Sequence, residues 1–237
     1  MKRTIFLTAL ILTLSLTATV RATQSDVKET RNVSGFTKVN FGVAGNLYII
    51  FGPEFKVEIE GQRKYVDEIL TEVSGGKLVI RRDNWKLRNW GMDDKVNVYI
   101  TMPELHGLGV SGSGKAEVKD KIKTDDLNLS VSGSGKIYIS DITVNDLGCS
   151  ISGSGDIYLN NEGSCSKADI SISGSGNFSG EPCKIGTAEI HISGSGNCVC
   201  NVTESLHASV SGSGNVSYLG NPRLDAHVSG SGKVRSR

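Results

Sequence analysis

The sequence predicts an all-β chain wound as a single-stranded parallel β-helix, with coils of about 18–21 residues behind a more irregular N-terminal part. Three observations lead there. Ser-Gly-Ser-Gly recurs seven times, beginning at Ser111, Ser132, Ser152, Ser173, Ser193, Ser211 and Ser229, at spacings of 21, 20, 21, 20, 18 and 18. Apolar and polar residues alternate on both sides of every motif. Only 38% of the 237 residues are hydrophobic while 29 are glycine, which suits a narrow core with assigned glycine positions.

Each column of the repeat has a physical reading. The residue before the motif is always β-branched: Val110, Val131, Ile151, Ile172, Ile192, Val210 and Val228. Two residues earlier stand Leu108, Leu129, Cys149, Ile170, Ile190, Ala208 and Ala226. After the motif comes a polar residue (Lys115, Lys136, Asp156, Asn177, Asn197, Asn215, Lys233), then Ala116, Ile137, Ile157, Phe178, Cys198, Val216 and Val234. Period-2 alternation is the signature of strands with one buried face, and β-branched side chains suit that pleated surface. A unit of strand, glycine corner, strand and polar return is too short for helical-pair repeats or propeller blades, and it matches one solenoid coil. Seven coils stacked at about 4.8 Å extend roughly 30 Å. Glycine supplies the backbone angles of the corner, and its serines have hydroxyls for bonds within the turn or to the next coil.

The region 108–237 is thus the regular helix, and 23–107 is a β-rich start. Val39–Ile49 overlays Leu129–Ile139, tyrosine included, as a degenerate coil. Further strands are expected at Lys56–Glu60, Lys77–Arg81 and Lys95–Met102, with one short helix in Lys64–Leu70. This start is expected to complete or cap the solenoid, whose open end would expose core and strand edges.

Residues 1–22 read as a signal peptide: Lys2 and Arg3, an apolar run Ile5–Leu16, and small residues at Val20-Arg21-Ala22. Cleavage is expected after Ala22, with Ala18 the alternative. The first cysteine is Cys149, which closes the lipoprotein route, and no later apolar run is long enough to span a membrane. Export to the periplasm, cell surface or exterior follows. Removing the leader takes Lys2, Arg3 and Arg21, leaving 23 basic against 25 acidic residues. A near-neutral chain lacks the field that draws in nucleic acid.

The residues resemble a known family, the head GIN domain of auto-transporter adhesins, found mostly in Bacteroidetes-type bacteria. The resemblance rests on Val33-Ser-Gly-Phe36, Tyr99-Ile-Thr-Met-Pro103-Glu-Leu, the seven motifs, Asn201–Leu206, Gly220-Asn-Pro222 and Val228–Val234, covering about 33–237. It implies a right-handed β-helix outside the cytoplasm, while the word adhesin in the family's name rests on fold analogy. The sequence has no C-terminal run of amphipathic membrane strands, and Lys233–Arg237 lacks a terminal aromatic, unlike a self-secreting autotransporter.

No catalytic, metal or cofactor signature stands out. Ser-Gly-Ser-Gly is followed by neither Lys-Ser/Thr nor a helix, so it is no phosphate cradle. Asp156 is the one acid in the column after the motifs, where calcium turns need several oxygens. His191 and His227 share an outward column with Ser130, Ser150, Ser171 and Ser209, but no carboxylate is evident to orient either imidazole. His106 and His207 lie elsewhere. Cys149, Cys198 and Cys200 fall on inward columns as small hydrophobes. Cys165 and Cys183 lie about one coil apart in the polar stretches, which leaves a cross-coil disulfide open. The sharpest irregularity holds both tryptophans, Trp85 and Trp90, among Arg81, Arg82 and Arg88. Exposed, this cluster would stack on a sugar or anchor a protein partner; buried, it would cap the solenoid, and ends that must be covered favour the cap. The leading expectation is a non-enzymatic, adhesin-like protein that offers a β-helical surface to a glycan or protein partner. The alternative is a structural envelope protein that forms homo-oligomers through solenoid ends or edges. An enzyme acting on polysaccharide is disfavoured, because the acids are scattered over turns.

Overall fold

Alternating strands and glycine corners wind the chain into a β-solenoid of about six turns, the number of complete turns that seven corners bound. The computed structural model describes residues 26–83 and 95–237. In chain order the elements are β1 (Asp26–Arg31), β2 (Lys38–Gly42), β3 (Gly45–Phe51), β4 (Lys56–Gln62), the single turn α1 (Arg63–Val66), β5 (Ile69–Ser74), β6 (Lys77–Arg82) and β7 (Val96–Met102). The regular part comprises β8 (Gly107–Gly112), β9 (Lys115–Gly133), β10 (Lys136–Gly153), β11 (Asp156–Leu159), β12 (Gly163–Gly174) and β13 (Asn177–Gly194). It continues through β14 (Asn197–Gly212), β15 (Asn215–Leu219), β16 (Arg223–Gly230) and β17 (Lys233–Ser236).

Before the corner, β8, the second half of β9, and then β10, β12, β13, β14 and β16 stack in parallel. The wall after the corner stacks likewise, and the predicted columns are the register partners: Ala116, Ile137, Ile157, Phe178, Cys198 and Val216 lie one above the next, each at most 1% exposed. Size is traded between neighbours in this core. The Phe178 ring lies over Gly180, where a Cβ would come within 2.8 Å of the ring.

The polar returns hide a third wall. Val144, Cys165, Ile185 and Val202 pair across successive coils and are buried, as are Ile122, Ile142 and Cys183. A register shift between Ile139 and Asp141 marks the corner by which β10 enters this wall.

The start of the chain is threaded out of order. The β2–β3 coil lies between β6–β7 and the first motif coil, because β2 pairs with both β6 and β8, and β3 with both β7 and β9. Its register reproduces the sequence overlay: Val39 pairs Leu108, which pairs Leu129, and Leu47 pairs Ala116, which pairs Ile137. Beyond the outer coil the sheet turns antiparallel, with β5 on β6, β4 on β7 and β1 on β4. The expected helix shrinks to Arg63–Val66, since Ile69 and Leu70 join β5, which turns back through Gly75-Gly76 (φ +56° and +71°) to pair with β6. At the other end β16 has every residue exposed, Leu224 at 42% and Val228 at 37%.

The two glycines of a corner do different jobs. The first takes a left-handed angle, +120° at Gly174, and a Cβ there would stand 2.4 Å from the Gly153 carbonyl oxygen. The second needs no unusual φ, but a Cβ at Gly176 would meet the Gly155 carbonyl at 2.3 Å. This proximity lets backbone bond to backbone between corners: Ser175 N–H donates to Gly153 at 2.8 Å and Asn177 N–H to Gly155 at 3.1 Å. The motif serines differ from expectation, for their hydroxyls form no hydrogen bond within the described chain.

Beside the corners runs a polar ladder. Lys136 Nζ lies 2.8 Å from Asp156 Oδ2, and the amides of Asn177, Asn197 and Asn215 each donate to the residue one coil back at 2.8, 2.9 and 3.0 Å. Burial raises the Asp156 pKa, but the Lys136 and Asn177 hydrogen bonds outweigh it and hold the carboxyl below its ordinary 3.8. Asp156 in turn raises Lys136 above 10.5.

Two predictions follow from these contacts. Gly174→Val should destabilise the fold by about 3 kcal/mol, from strain and a backbone clash, and lower the thermal melting temperature by several degrees. An unchanged melt would refute the corner assignment. Asp156→Asn should cost about 1 kcal/mol at neutral pH, half-exposed Lys136 moderating the loss. A carboxyl with a lowered native pKa stabilises above its unfolded value and loses that contribution as pH falls through the native one. The stability gap between wild type and variant, measured by urea unfolding across pH, should therefore be flat near neutrality and close below about 3.8.

Candidate functional site

The basic cluster at the start of the helix is partly committed to structure. Arg81 Nη2 reaches Glu72 Oε1 at 3.1 Å, and Arg82 Nε reaches Glu68 Oε2 at 3.1 Å, across the β5–β6 hairpin. Glu68 is buried, so its charge is tolerated because the guanidinium meets it. Trp85, Trp90 and Arg88 lie outside the described residues. The segment that carries them joins β6 to β7, the connection made in the motif coils by a glycine corner.

The wall after the corner presents tyrosines. Tyr48 stacks on Tyr99 with centroids 5.4 Å apart, and Tyr138 on Tyr158 at 4.8 Å, close to the coil spacing. Lys115 Nζ lies 4.6 Å from the Tyr138 centroid. A hydrogen bond to Glu60, reinforced by burial, pushes the Tyr99 hydroxyl up to about 12.

The wall before the corner carries three outward columns. Asn128, Gly148, Asp169, Glu189, His207 and Asp225 form the middle one, register partner on register partner. Ser130, Ser150, Ser171, His191, Ser209 and His227 flank it on the corner side. On the other side stand Asp126, Asp146, Lys167, Thr187, Ser205 and Arg223. Two open hollows of about 440 and 420 Å³ lie along this wall and share Lys167.

One imidazole of the Ser/His column, His191, does have a carboxylate partner, contrary to the sequence reading, and so does His207 in the middle column. His191 Nε2 lies 3.0 Å from Glu189 Oε1, two residues back on the same strand. His207 Nδ1 lies 3.0 Å from Asp225 Oδ2, one coil on. No serine hydroxyl bonds to either ring among the described residues. The nearest approach to a nucleophile, base and acid is elsewhere: Thr124 Oγ1 is 3.3 Å from His106 Nδ1, whose Nε2 is 3.4 Å from Glu104 Oε2. Spacing did not reveal this trio, because it joins neighbouring coils. Among the described residues no group of three or more His, Cys, Asp or Glu side chains is placed to hold a metal ion, and no helix is long and apolar enough to cross a membrane.

All five cysteines are free and buried. Cys165 and Cys183 face inward on the third wall instead of sitting in polar turns. Register places Cys165 opposite Ile185 and Cys183 opposite Gly163. That diagonal puts their Cα atoms about 8 Å apart by strand geometry, outside the ~7 Å that a disulfide spans without backbone movement. Burial pushes the Cys165 thiol up to about 11 and the Cys183 thiol up to about 12, so both stay protonated and unreactive near neutrality.

Solved structures share this architecture. The chain superposes on a protein from Bacteroides fragilis described as a "putative adhesin", with a TM-score of 0.83 and 25% identity, covering 90% of this chain and 98% of that one. A protein from Parabacteroides distasonis described as a "putative lipid binding protein" gives 0.70 at 20% identity, covering 91% and 98%. Another "putative adhesin", from Parabacteroides merdae, gives 0.68 at 20%, covering 91% and 97%. Among curated proteins none matches the chain. The sequence signature described as "putative auto-transporter adhesin, head GIN domain" matches residues 35–222, and the chain belongs to that family.

Proposed function

We propose that this is an exported, non-enzymatic binding protein that offers the outer surface of its β-helix to a glycan or protein partner. The observation that carries the reading is the wall before the corner. From β8 to β14 its strands are paired on both sides within the stack, so the fold there is held from inside and by the backbone. The outward side chains of Asn128, Asp146, Lys167 and Asp169 meanwhile form no hydrogen bond or ion pair within the described chain. Family membership favours an adhesin-like role at or beyond the cell envelope. A bound acyl chain is disfavoured, because the inward columns are filled by their own side chains.

The Thr124–His106–Glu104 trio does not make this an enzyme. Both contacts are long, and the Thr124 hydroxyl also faces the Asp126 carbonyl at 3.5 Å. Self-assembly is the rival reading, favoured by the exposed Leu224 and Val228 of β16.

Three measurements test the proposal. Retention of the purified protein on glycan and extracellular-protein arrays should be specific, while light scattering should give one size at all concentrations. Growth in size with concentration and no retention would support the rival. Turnover of activated esters should be at background and equal in wild type and Thr124→Ala; a rate that falls with the substitution would overturn the non-enzymatic reading. Replacing Trp85 and Trp90 by Ala should lower stability if they cap the helix. Retained stability with lost partner binding would assign them to a binding surface.

A further inference from the structure

Resting on the binding reading above, we propose that the partner is a hydroxyl-rich, non-acidic oligosaccharide, lying along the helix axis in the groove over Gly148. The groove is made by a missing side chain. Gly148 sits between Asn128 and Asp169 in the middle column, with Ser130, Ser150 and Ser171 on one bank and Asp146 and Lys167 on the other. The second hollow, which shares Lys167 with the first, is lined farther along the same column by Glu189, His207 and Asp225. Five coil steps from Asn128 to Asp225 give a length of about 24 Å. Its hydrogen-bonding groups recur once per coil, as the hydroxyls of a sugar chain recur once per ring.

The lining argues against other occupants. A peptide strand adds to a sheet through a free edge, and along this wall β9, β10, β12, β13 and β14 have both edges paired, leaving β16 at the end of the stack with an unpaired edge among the described residues. A protein hot spot needs an aromatic or large aliphatic anchor. Leu129, Leu147 and Leu206 all turn inward and are at most 1% exposed, so the hollows offer amides, hydroxyls and charges instead. Nucleic acid and acidic glycans meet the wrong sign, since Asp126, Asp146, Asp169, Glu189 and Asp225 outnumber Lys167 and Arg223 along the three columns. What remains is a neutral ligand recognised by many hydrogen bonds. The carboxylates accept from sugar hydroxyls, Lys167 donates to them, and the Glu189-held His191 ring stands in the flanking column, 6.2 Å from that of His207.

Gly148→Gln is the informative variant. Gly148 has no positive φ, and an added Cβ would meet only the tip of the Asn128 side chain, at 2.6 Å, which can swing away. The substitution should fill the groove and leave the thermal melt within a few degrees of wild type. The probes are cello-, xylo-, manno- and chitohexaose against a sulfated uronic-acid hexasaccharide, each titrated by calorimetry into the wild-type protein, Gly148→Gln and Asp146→Ala/Asp169→Ala. The expected result is binding of at least one neutral hexasaccharide, weakened about tenfold or more in each variant, as expected if one or two hydrogen bonds are lost. Preference for the sulfated probe would overturn the non-acidic assignment. Neutral binding that survives both variants would overturn the groove and leave the binding reading intact. No hexasaccharide bound, with an extracellular protein retained on the array, would overturn the glycan but not the binding function. Neither bound, with size growing with concentration, would end both.

Discussion

Everything in this molecule depends on how closely one coil can approach the next at the glycine corner. The strands could stack at the usual sheet spacing with many sequences, but the corner is where the chain changes wall, and a turn with side chains would hold the coils apart. At Gly174 and Gly176 the carbonyl of the preceding coil occupies the place where a Cβ would be. The resulting corner-to-corner hydrogen bonds tie the turns together, so the stack has no point at which register is free to slip. Identical register from coil to coil on the two walls beside the corner is what turns a column of the repeat into a physical ladder, inside and outside.

The interior and exterior ladders then obey different rules. Inside, a column must conserve volume: Phe178 is accommodated because Gly180 beside it has no side chain, and Cys198 sits where other coils have Ile or Val. Outside, a column must satisfy its polar atoms. The asparagine run does so by repetition, each amide donating back, with Asn177 and Asn197 also accepting from the next, and it ends at a carboxylate that also meets a lysine. Aligned amide bonds polarise one another. The charged end at Asp156 therefore anchors the run, which explains why a single acid in an otherwise Lys/Asn column is buried instead of being a vestige of a cation site.

The ladders were legible in the sequence because their period is fixed by the corner. The seven motifs index the inward columns residue by residue, and Val39–Ile49 falls into place as a degenerate coil at the register its overlay implies. What escaped has a common cause: it depends on contacts between coils or on chain order. The third wall was obscured because its column, Val144, Cys165, Ile185 and Val202, lies within largely polar stretches, begins at Thr124 in the first coil and slips by one residue at Val202. Insertion of the β2–β3 coil between β6–β7 and the first motif coil cannot be read from local pattern at all, nor can the antiparallel cap. The Glu189–His191 contact could have been found from spacing alone, since residues two apart on a strand share a face. His207–Asp225 required knowing that an 18-residue step is one coil. Arg81 and Arg82 looked like free cations because their carboxylates, Glu72 and Glu68, arrive through a hairpin whose first strand carried no clear alternation.

This separation of duties bears on function. Corner and core fix the backbone, so an outward residue that no ladder requires can change without disturbing the coil beneath it. On the wall after the corner the outward positions are largely used, by stacked tyrosines and by the Lys136–Asp156 pair. Around Gly148 on the wall before the corner they are not: a glycine stands in the middle column, with Asp146, Asp169 and Lys167 on and beside it forming no ion pair within the described chain. A solenoid that needed only to stand would gain from pairing those charges across coils, as it does elsewhere, because Lys167 has Asp146 as its register partner and is still not bonded to it. Desolvating such groups is cheapest for a ligand that restores each hydrogen bond it displaces. A chain of hydroxyls meets that condition at every coil, whereas an apolar surface meets it at none.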